Sequence, residues 1–156
     1  KSSRNYYNNS TSLIPPTAGA VMYILDQLPL DLSVESFVVL GQGELVGRPV
    51  THALKNRVYE VNTAVAGTPE RSKLLKEATA IITGVGKAGI LTGEDVSEGV
   101  IVIDAGTSES GGSIAGDVDF DSIAPKARYI TPSPGGVGPV TVAKLLENVL
   151  QVAKSK

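Results

Sequence analysis

Cysteine and tryptophan are absent from the 156-residue chain, and histidine and methionine occur once each. Without cysteine the chain forms no disulfide and no thiolate metal site, which agrees with a reducing compartment. A single histidine also argues against a zinc centre. We therefore assign no metal ligands.

An excess of one charge sign and long apolar runs are also missing. The 14 basic and 16 acidic residues leave a formal net charge of −2, which argues against nucleic acid and anionic membranes as partners. No apolar stretch approaches the length of a membrane span, and the first residues, KSSRNYYNNSTS, are polar rather than signal-like. The expectation is a cytoplasmic protein, with the mitochondrial matrix as the alternative location.

The remaining composition suits one compact domain. Hydrophobic residues make up 42% of the chain and charged residues 19%, which allows a sizeable core at this length. We expect residues 1–12 to form a polar linker and residues 13–156 to form a single domain. Because the chain begins with lysine rather than methionine, we expect it to be a piece of a longer protein.

Short apolar runs that end in glycine or proline predict strands, and helix-forming segments lie between them. The predicted strands are residues 36–41, 57–65, 80–86, 100–106 and 129–131, with a hairpin at 111–119. The predicted helices are residues 17–28, 47–56, 69–78 and 138–153. This alternation predicts a Rossmann-like, doubly wound α/β domain with a mainly parallel sheet, in which ligands bind beyond the carboxyl ends of the strands.

The last predicted helix carries an apolar stripe. Its apolar side chains recur with i, i+3, i+4 spacing, which predicts an amphipathic helix. The stripe consists of Val142, Leu145, Leu146, Val149, Leu150 and Ala153.

A glycine loop, GQGELVGRP at residues 41–49, follows the first predicted strand and opens a helix, which is the context of a dinucleotide-binding loop. Gly41 would make the tight turn, Gly43 would let a pyrophosphate approach the backbone, and the helix start near Gly47 would offer unpaired N–H groups. The alternative is a strand-to-helix turn without a ligand. Two more glycine-rich strand ends, at 84–89 and 104–109, favour a ligand.

Several motifs resemble the bifunctional methylenetetrahydrofolate dehydrogenase/cyclohydrolase family. The stretch GDVDFDSIAPKARYITPSPGGVGPVTVAKLLENVL (116–150) is similar to that family's GDVDF, ITPVPGGVGPMT and AxLLENT segments. The loop GQGELVGRP resembles its GRSxxVGxP, and VGKAG, VIDAGT and LIPPTAGAV resemble its VGKPG, VIDVGI and PCTPxGV. The resemblance covers residues 13–154 and only the C-terminal, cofactor-binding half of the family.

The resemblance implies an enzyme that oxidises methylenetetrahydrofolate with a nicotinamide cofactor and then hydrolyses the methenyl product. In that family the catalytic Lys and Tyr belong to a separate N-terminal domain, which is not found here. No catalytic residue is therefore assigned, and the chain alone is expected to be inactive. Folate is an expected partner only with the missing domain, and a homodimer is expected because family members dimerise through this domain.

The resemblance also implies the site residues. The cofactor-binding set is Gly41, Gln42, Gly43, Val46, Gly47, Thr68, Gly84, Val85, Gly86, Ala105, Gly106, Thr107 and Thr141. The substrate cleft would be lined by Pro134, Gly135, Gly136 and Gly138. For Thr141 an ordinary N-terminal helix position is an equal alternative. Asp104, at a strand end beside the expected cleft, is predicted to cap local N–H groups, with orientation of cofactor or substrate as the alternative. Asp117 and Asp119 are predicted to fix a turn.

Two departures from the family pattern leave the cofactor open. Members that use NADP grip the 2′-phosphate with two arginines, and those positions are Gln42 and Gly67 here. The acidic residue that usually selects NAD is missing too, because residues 64–68 read AVAGT. The predicted cofactor is NADP or NAD without a preference. Arg71 is either a replacement phosphate ligand or a solvated side chain.

Three functions stay open. The first is the cofactor-binding half of the dehydrogenase/cyclohydrolase, which the intact glycine loops favour. The second is a non-catalytic dimerisation or regulatory module that has lost cofactor binding, which Gln42 and Gly67 favour. The third is an unrelated function on a Rossmann-like domain, which the match at 131–150 argues against.

Overall fold

The computed structural model describes Tyr6 and residues 13–57, 60–110 and 112–154. Most of the predicted linker therefore lies outside the described residues. Tyr6 is buried against the helix that contains His52: its hydroxyl donates to the Pro49 carbonyl at 3.4 Å. Its ring also meets the His52 ring edge-on, with the centroids 5.0 Å apart.

The sheet is parallel and five-stranded, in the order β2 (Glu60–Ala64), β1 (Ser36–Leu40), β3 (Ala80–Thr83), β4 (Ile101–Asp104) and β7 (Tyr129–Ile130). Each strand of this sheet is short and contains a β-branched residue, as the sequence predicts. The doubly wound α/β fold is therefore confirmed. The strands are β1 (Ser36–Leu40), β2 (Glu60–Ala64), β3 (Ala80–Thr83), β4 (Ile101–Asp104), β5 (Ser108–Ser110), β6 (Ser113–Ala115) and β7 (Tyr129–Ile130).

Helices cover both faces of the sheet. The first begins at a proline, whose missing N–H and fixed φ suit the first helical turn. In the described part of the chain, no helix combines the length and the apolar character needed to cross a membrane. The helices are α1 (Pro16–Gln27), α2 (Gly47–Lys55), α3 (Arg71–Glu77), α4 (Phe120–Ile123) and α5 (Val137–Lys154), with a 3₁₀ turn at Leu32–Val34.

Two apolar clusters form the core because successive side chains of a strand point to opposite faces. Phe37 and Val39 of β1 lie in one cluster, with buried residues of α1 and α2. Val38 and Leu40 lie in the other, with buried residues of α3 and α4. Both faces of β1 are thus buried, which fixes the positions of the strand ends that carry the loops.

The hairpin lies earlier in the chain than the predicted 111–119. Strands β5 and β6 pair antiparallel, with Glu109 opposite Ile114. The first strand is the polar sequence SES, which has no apolar alternation to signal it. Ile114 projects from this hairpin with 63% of its surface exposed.

Helix α5 packs against α1, but the side chains of its apolar stripe are not buried in the core of the described chain. Val142, Leu145, Leu146, Val149 and Leu150 are 51–60% exposed, and Ala153 is exposed as well. A contiguous exposed apolar face of this kind marks a surface that packs against something else. We call these six residues the α5 stripe.

A buried leucine and an exposed leucine of the α5 stripe should respond differently to truncation to alanine. Leu25→Ala empties a site that is 1% exposed, and we expect it to lower the free energy of unfolding by about 2–5 kcal/mol. The matched variant Leu150→Ala removes a side chain that is 60% exposed, and we expect a change within about 0.5 kcal/mol. Urea unfolding of the 156-residue chain measures both. Equal losses would contradict the exposed position of the α5 stripe.

Candidate functional site

Loops from strands β1 and β3 meet at the point where the strand order reverses. Strand β1 is followed in the chain by β2 on one side and then by β3 on the other, and ligands bind outside the carboxyl ends of strands at such a point. The Gly84 N–H donates to the Leu40 carbonyl at 2.9 Å. Gly41 has φ = 94°, and a Cβ there would lie 2.7 Å from the Gly84 carbonyl oxygen. Glycine is therefore required where the two loops touch.

The loop after β1 presents a row of backbone donors. Its last residue, Gly47, begins α2 and packs so closely that a Cβ would overlap the Gly41 carbonyl. The Arg48 N–H donates back to the Gly43 carbonyl at 3.1 Å. Among the described residues, the N–H groups of residues 42–47 have no acceptor within hydrogen-bond geometry. Unpaired N–H groups at a helix N-terminus attract anions such as phosphate.

The Gln42 side chain makes hydrogen bonds that hold this loop in place. Its side-chain amide donates to the Gly41 carbonyl at 2.8 Å and to the Thr51 hydroxyl at 3.0 Å. The residue is half-buried, and Thr51 is buried on α2. Gln42 therefore supports the loop through neutral hydrogen bonds and brings no positive charge to it.

The turn after β2 is closed by its own groups. The Thr68 hydroxyl accepts from the Val65 N–H at 2.9 Å, and Gly67 adopts φ = 85°. Arg71 is half-buried, and its guanidinium donates to the Ile90 carbonyl at 3.2 Å. This contact ties α3 to the segment after the second glycine loop, so the side chain is not simply solvated, while the phosphate-ligand alternative for Arg71 stays a prediction.

Asp117 anchors the loop after β3. Its carboxylate accepts from the N–H groups of Val85, Gly86 and Lys87 at 2.6, 2.9 and 2.8 Å. The residue has no exposed surface. Asp117 was predicted only to hold a local turn, whereas it reaches a loop 30 residues earlier in the chain.

Asp104 anchors the loop after β4. Its carboxylate accepts from the Thr83 hydroxyl at 2.9 Å and from the N–H groups of Gly106, Asp117 and Val118 at 3.1–3.2 Å. Burial raises the pKa of the Asp104 carboxyl above its ordinary value, against these hydrogen bonds, and the charge of Asp117 adds to the rise. The predicted capping role is confirmed, and it extends to the segment at 117–118.

A cavity of about 490 Å³ opens between the loops after β4 and β7, within the size range of ligand pockets. The structure brings together in its wall Val46, Ala105, Gly106, Thr107, Pro134, Gly135, Gly136, Gly138 and Thr141. The wall does not include Gly41, Gln42, Gly43, Gly47, Thr68, Gly84, Val85 or Gly86. Apart from Thr68, in the turn after β2, those residues belong to the loops after β1 and β3, which touch each other through Gly41 and Gly84. The predicted residues thus occupy neighbouring strand ends rather than one cavity.

Thr141 lies in the first turns of α5, and its hydroxyl donates to the Val137 carbonyl at 3.0 Å. It also lines the cavity. The hydroxyl is thus satisfied within the helix as in an ordinary helical position, while the side chain faces the site.

Sequence reasoning missed the apolar part of the site. Leu45 lies in the first glycine loop with 83% of its surface exposed, and it lines the cavity together with Thr17. A second groove of about 490 Å³ shares Thr17, Leu45 and Thr141 with the first and continues past Leu145. A leucine inside a polar glycine loop was the available signal for this surface. We call the second groove the α5 groove.

The comparisons with known proteins agree with this geometry. The family model for the tetrahydrofolate dehydrogenase/cyclohydrolase NAD(P)-binding domain matches residues 15–156. The bifunctional protein FolD of Nitratiruptor sp. is 41% identical over 142 residues, which are 91% of this chain and 50% of that protein. The chain spans about half the length of the curated relatives it matches.

Solved structures give the same result. The bifunctional FolD enzyme of Campylobacter jejuni superposes with a TM-score of 0.89 at 38% identity, covering 97% of this chain and 55% of that one. The FolD of Trypanosoma brucei, solved in complex with NADP cofactor and an inhibitor, gives a TM-score of 0.88 at 34% identity, covering 98% and 55%. This chain therefore belongs to the tetrahydrofolate dehydrogenase/cyclohydrolase family and corresponds to its NAD(P)-binding domain.

Proposed function

We propose that this chain is the cofactor-binding half of a methylenetetrahydrofolate dehydrogenase and methenyltetrahydrofolate cyclohydrolase. The observation that carries the proposal is the loop at residues 42–47, whose backbone N–H groups have no acceptor among the described residues, at the strand-order reversal and beside a cavity of about 490 Å³. Donors of this kind fit a pyrophosphate without any charged side chain. The same fold occurs, at 38% identity, in the Campylobacter jejuni enzyme that is named a methylenetetrahydrofolate dehydrogenase/cyclohydrolase.

Two parts of a dinucleotide, the central pyrophosphate and the terminal nicotinamide, suit different loops of this site. The pyrophosphate fits the N–H groups at the start of α2, and the nicotinamide fits the loops at 84–86 and 105–107. When bound, the nicotinamide supplies the acceptor for a hydride from the folate methylene carbon. The residues of this chain bind and orient that ring, and Pro134, Gly135 and Gly136 line the same cavity as residues 105–107.

The reaction also needs acid–base residues, and none is assigned in this chain. The curated relatives are about twice as long, and the α5 stripe and α5 groove are apolar surfaces suited to a second domain. We infer that the completing half packs there and brings the acid–base residues and most of the folate site. The 156-residue chain alone then positions the cofactor and performs no turnover.

The two positions at which the family's NADP users carry arginine bring no positive charge here, because they are Gln42 and Gly67. Residues 65–68, after β2, carry no charged side chain, and Gln42 is engaged with Gly41 and Thr51. A 2′-phosphate gains affinity from charge-assisted hydrogen bonds, which need a cationic partner. We infer that NAD binds at least as tightly as NADP.

A second candidate is a non-catalytic dimerisation or regulatory module without a cofactor. The missing cations at Gln42 and Gly67 favour it, as does the hairpin β5–β6, which offers the exposed Ile114 for pairing with a second copy. The row of open N–H groups at 42–47 has no use in that candidate, so we rank it second.

Dinucleotide binding distinguishes the two candidates. Calorimetric titration of the 156-residue chain with NAD at low salt should give saturable binding. Gly43→Val should weaken it about tenfold, because the new side chain has open space in the fold but covers the N–H groups that receive the pyrophosphate.

Ser72→Val, at an exposed position of α3, is the control and should leave the affinity unchanged. Absence of binding to both NAD and NADP would favour the dimerisation module. Dehydrogenase turnover by the purified chain would contradict the inference that a second half supplies the acid–base residues.

Adding one cation should change the cofactor preference. Gln42→Arg is expected to tighten NADP binding about tenfold and to leave NAD binding nearly unchanged, because only NADP carries the 2′-phosphate. Gln42→Met, of similar length without charge, serves as the control and should improve neither ligand. Tighter NADP than NAD binding by the unaltered chain would show that another residue already recognises the phosphate.

A further inference from the structure

Three successive backbone N–H groups converge on one carboxylate in the loop after β3. Val85, Gly86 and Lys87 all donate to Asp117 at 2.6–2.9 Å, and Gly86 supplies the positive φ of 78°. Successive N–H groups arranged around a residue of positive φ form a concave anion-binding nest. The anion in this nest is a side chain of the same chain.

The carboxylate is held from the other side as well. Asp117 is fully buried, and its own N–H donates to the Asp104 carboxylate at 3.2 Å. A Cβ on Gly106 would overlap the Asp117 carboxylate, so the loop after β4 lies directly against it. Asp117 thus joins the two loops on which we place the nicotinamide.

The two glycine loops therefore differ in what they offer a ligand. The N–H groups of residues 42–47 have no acceptor among the described residues, whereas those of residues 85–87 are all engaged by Asp117. An external phosphate has donors to bind in the first loop. In the second loop it would have to displace a buried, multiply hydrogen-bonded carboxylate, which is costly.

We propose that Asp117 is a positioning residue of the cofactor site: by filling the nest at residues 85–87 it fixes the wall against which the nicotinamide lies and assigns the pyrophosphate to the loop at 42–47. This role rests on the proposed function. In this role the GDVDF motif supports the cofactor site as well as forming a turn. The same role accounts for the glycines at 84–89, which let the loop wrap around the Asp117 carboxylate instead of a phosphate.

The test separates the nicotinamide from the rest of the dinucleotide. NAD carries both pyrophosphate and nicotinamide, whereas ADP-ribose carries the pyrophosphate without the ring. In Asp117→Asn the side-chain NH₂ has to face at least one of the three N–H donors, so the loop shifts. Calorimetry should show NAD binding weakened about tenfold, while ADP-ribose binding stays within about twofold of the unaltered chain.

Asp119→Asn is the matched control, because Asp119 lies in the same motif, is exposed and makes no side-chain capping bond. It should leave both affinities unchanged. Equal weakening of NAD and ADP-ribose in Asp117→Asn, or no weakening of either, would overturn the positioning role. Failure of the unaltered chain to bind either ligand would instead overturn the proposed function on which this role rests.

A measurement on the unaltered chain covers the case in which Asp117→Asn does not fold. Amide hydrogen exchange should be slow at Val85, Gly86 and Lys87, since their N–H groups are bonded to a buried acceptor. In NMR spectra, titration with inorganic pyrophosphate should shift the amide resonances of residues 42–47 and leave those of residues 85–87 unchanged. Fast exchange or large shifts at 85–87 would contradict the proposal.

Discussion

The cofactor cleft depends on a pair of buried carboxylates, Asp104 and Asp117. Buried carboxylates are costly unless hydrogen bonds replace their water, and here seven donors do so: four N–H or O–H groups on Asp104 and three N–H groups on Asp117. These bonds connect the ends of β3 and β4 with the segment at 116–118. Because loops at strand ends have few apolar contacts of their own, this polar network gives the cleft its fixed shape.

The rest of the site is built from backbone rather than from charged side chains. Glycines at 41 and 47 let the loop after β1 fold tightly at the carboxyl end of the strand, and the N–H groups of residues 42–47 have no acceptor among the described residues. Such a surface recognises the pyrophosphate that NAD and NADP share, and recognition of the 2′-phosphate needs an added cation. In the function that we propose, Gln42 bears on the choice of cofactor, whereas the glycines allow dinucleotide binding itself.

The sequence predicted the features that arise locally. Strand runs such as 36–41 and 80–86, the helix starts and the glycine loop at 41–49 all follow from short-range pattern and chain stiffness. The reach of Asp117 to residues 85–87 was not predictable, because nothing local in GDVDF indicates a partner 30 residues away. The exposure of the α5 stripe was not predictable for a related reason. Periodicity shows that a helix has an apolar face, but it does not show which part of the protein packs against that face.

We place the pyrophosphate of a bound dinucleotide on the loop after β1, and its nicotinamide against the neighbouring loops at 84–86 and 105–107. A crystal structure of the chain grown with NAD tests this placement most directly. The account predicts the pyrophosphate on the N–H groups of residues 42–47, the nicotinamide against residues 84–86 and 105–107, and Asp117 still bonded to its three N–H groups. A pyrophosphate seated on residues 85–87, or a dinucleotide bound away from both loops, would contradict it.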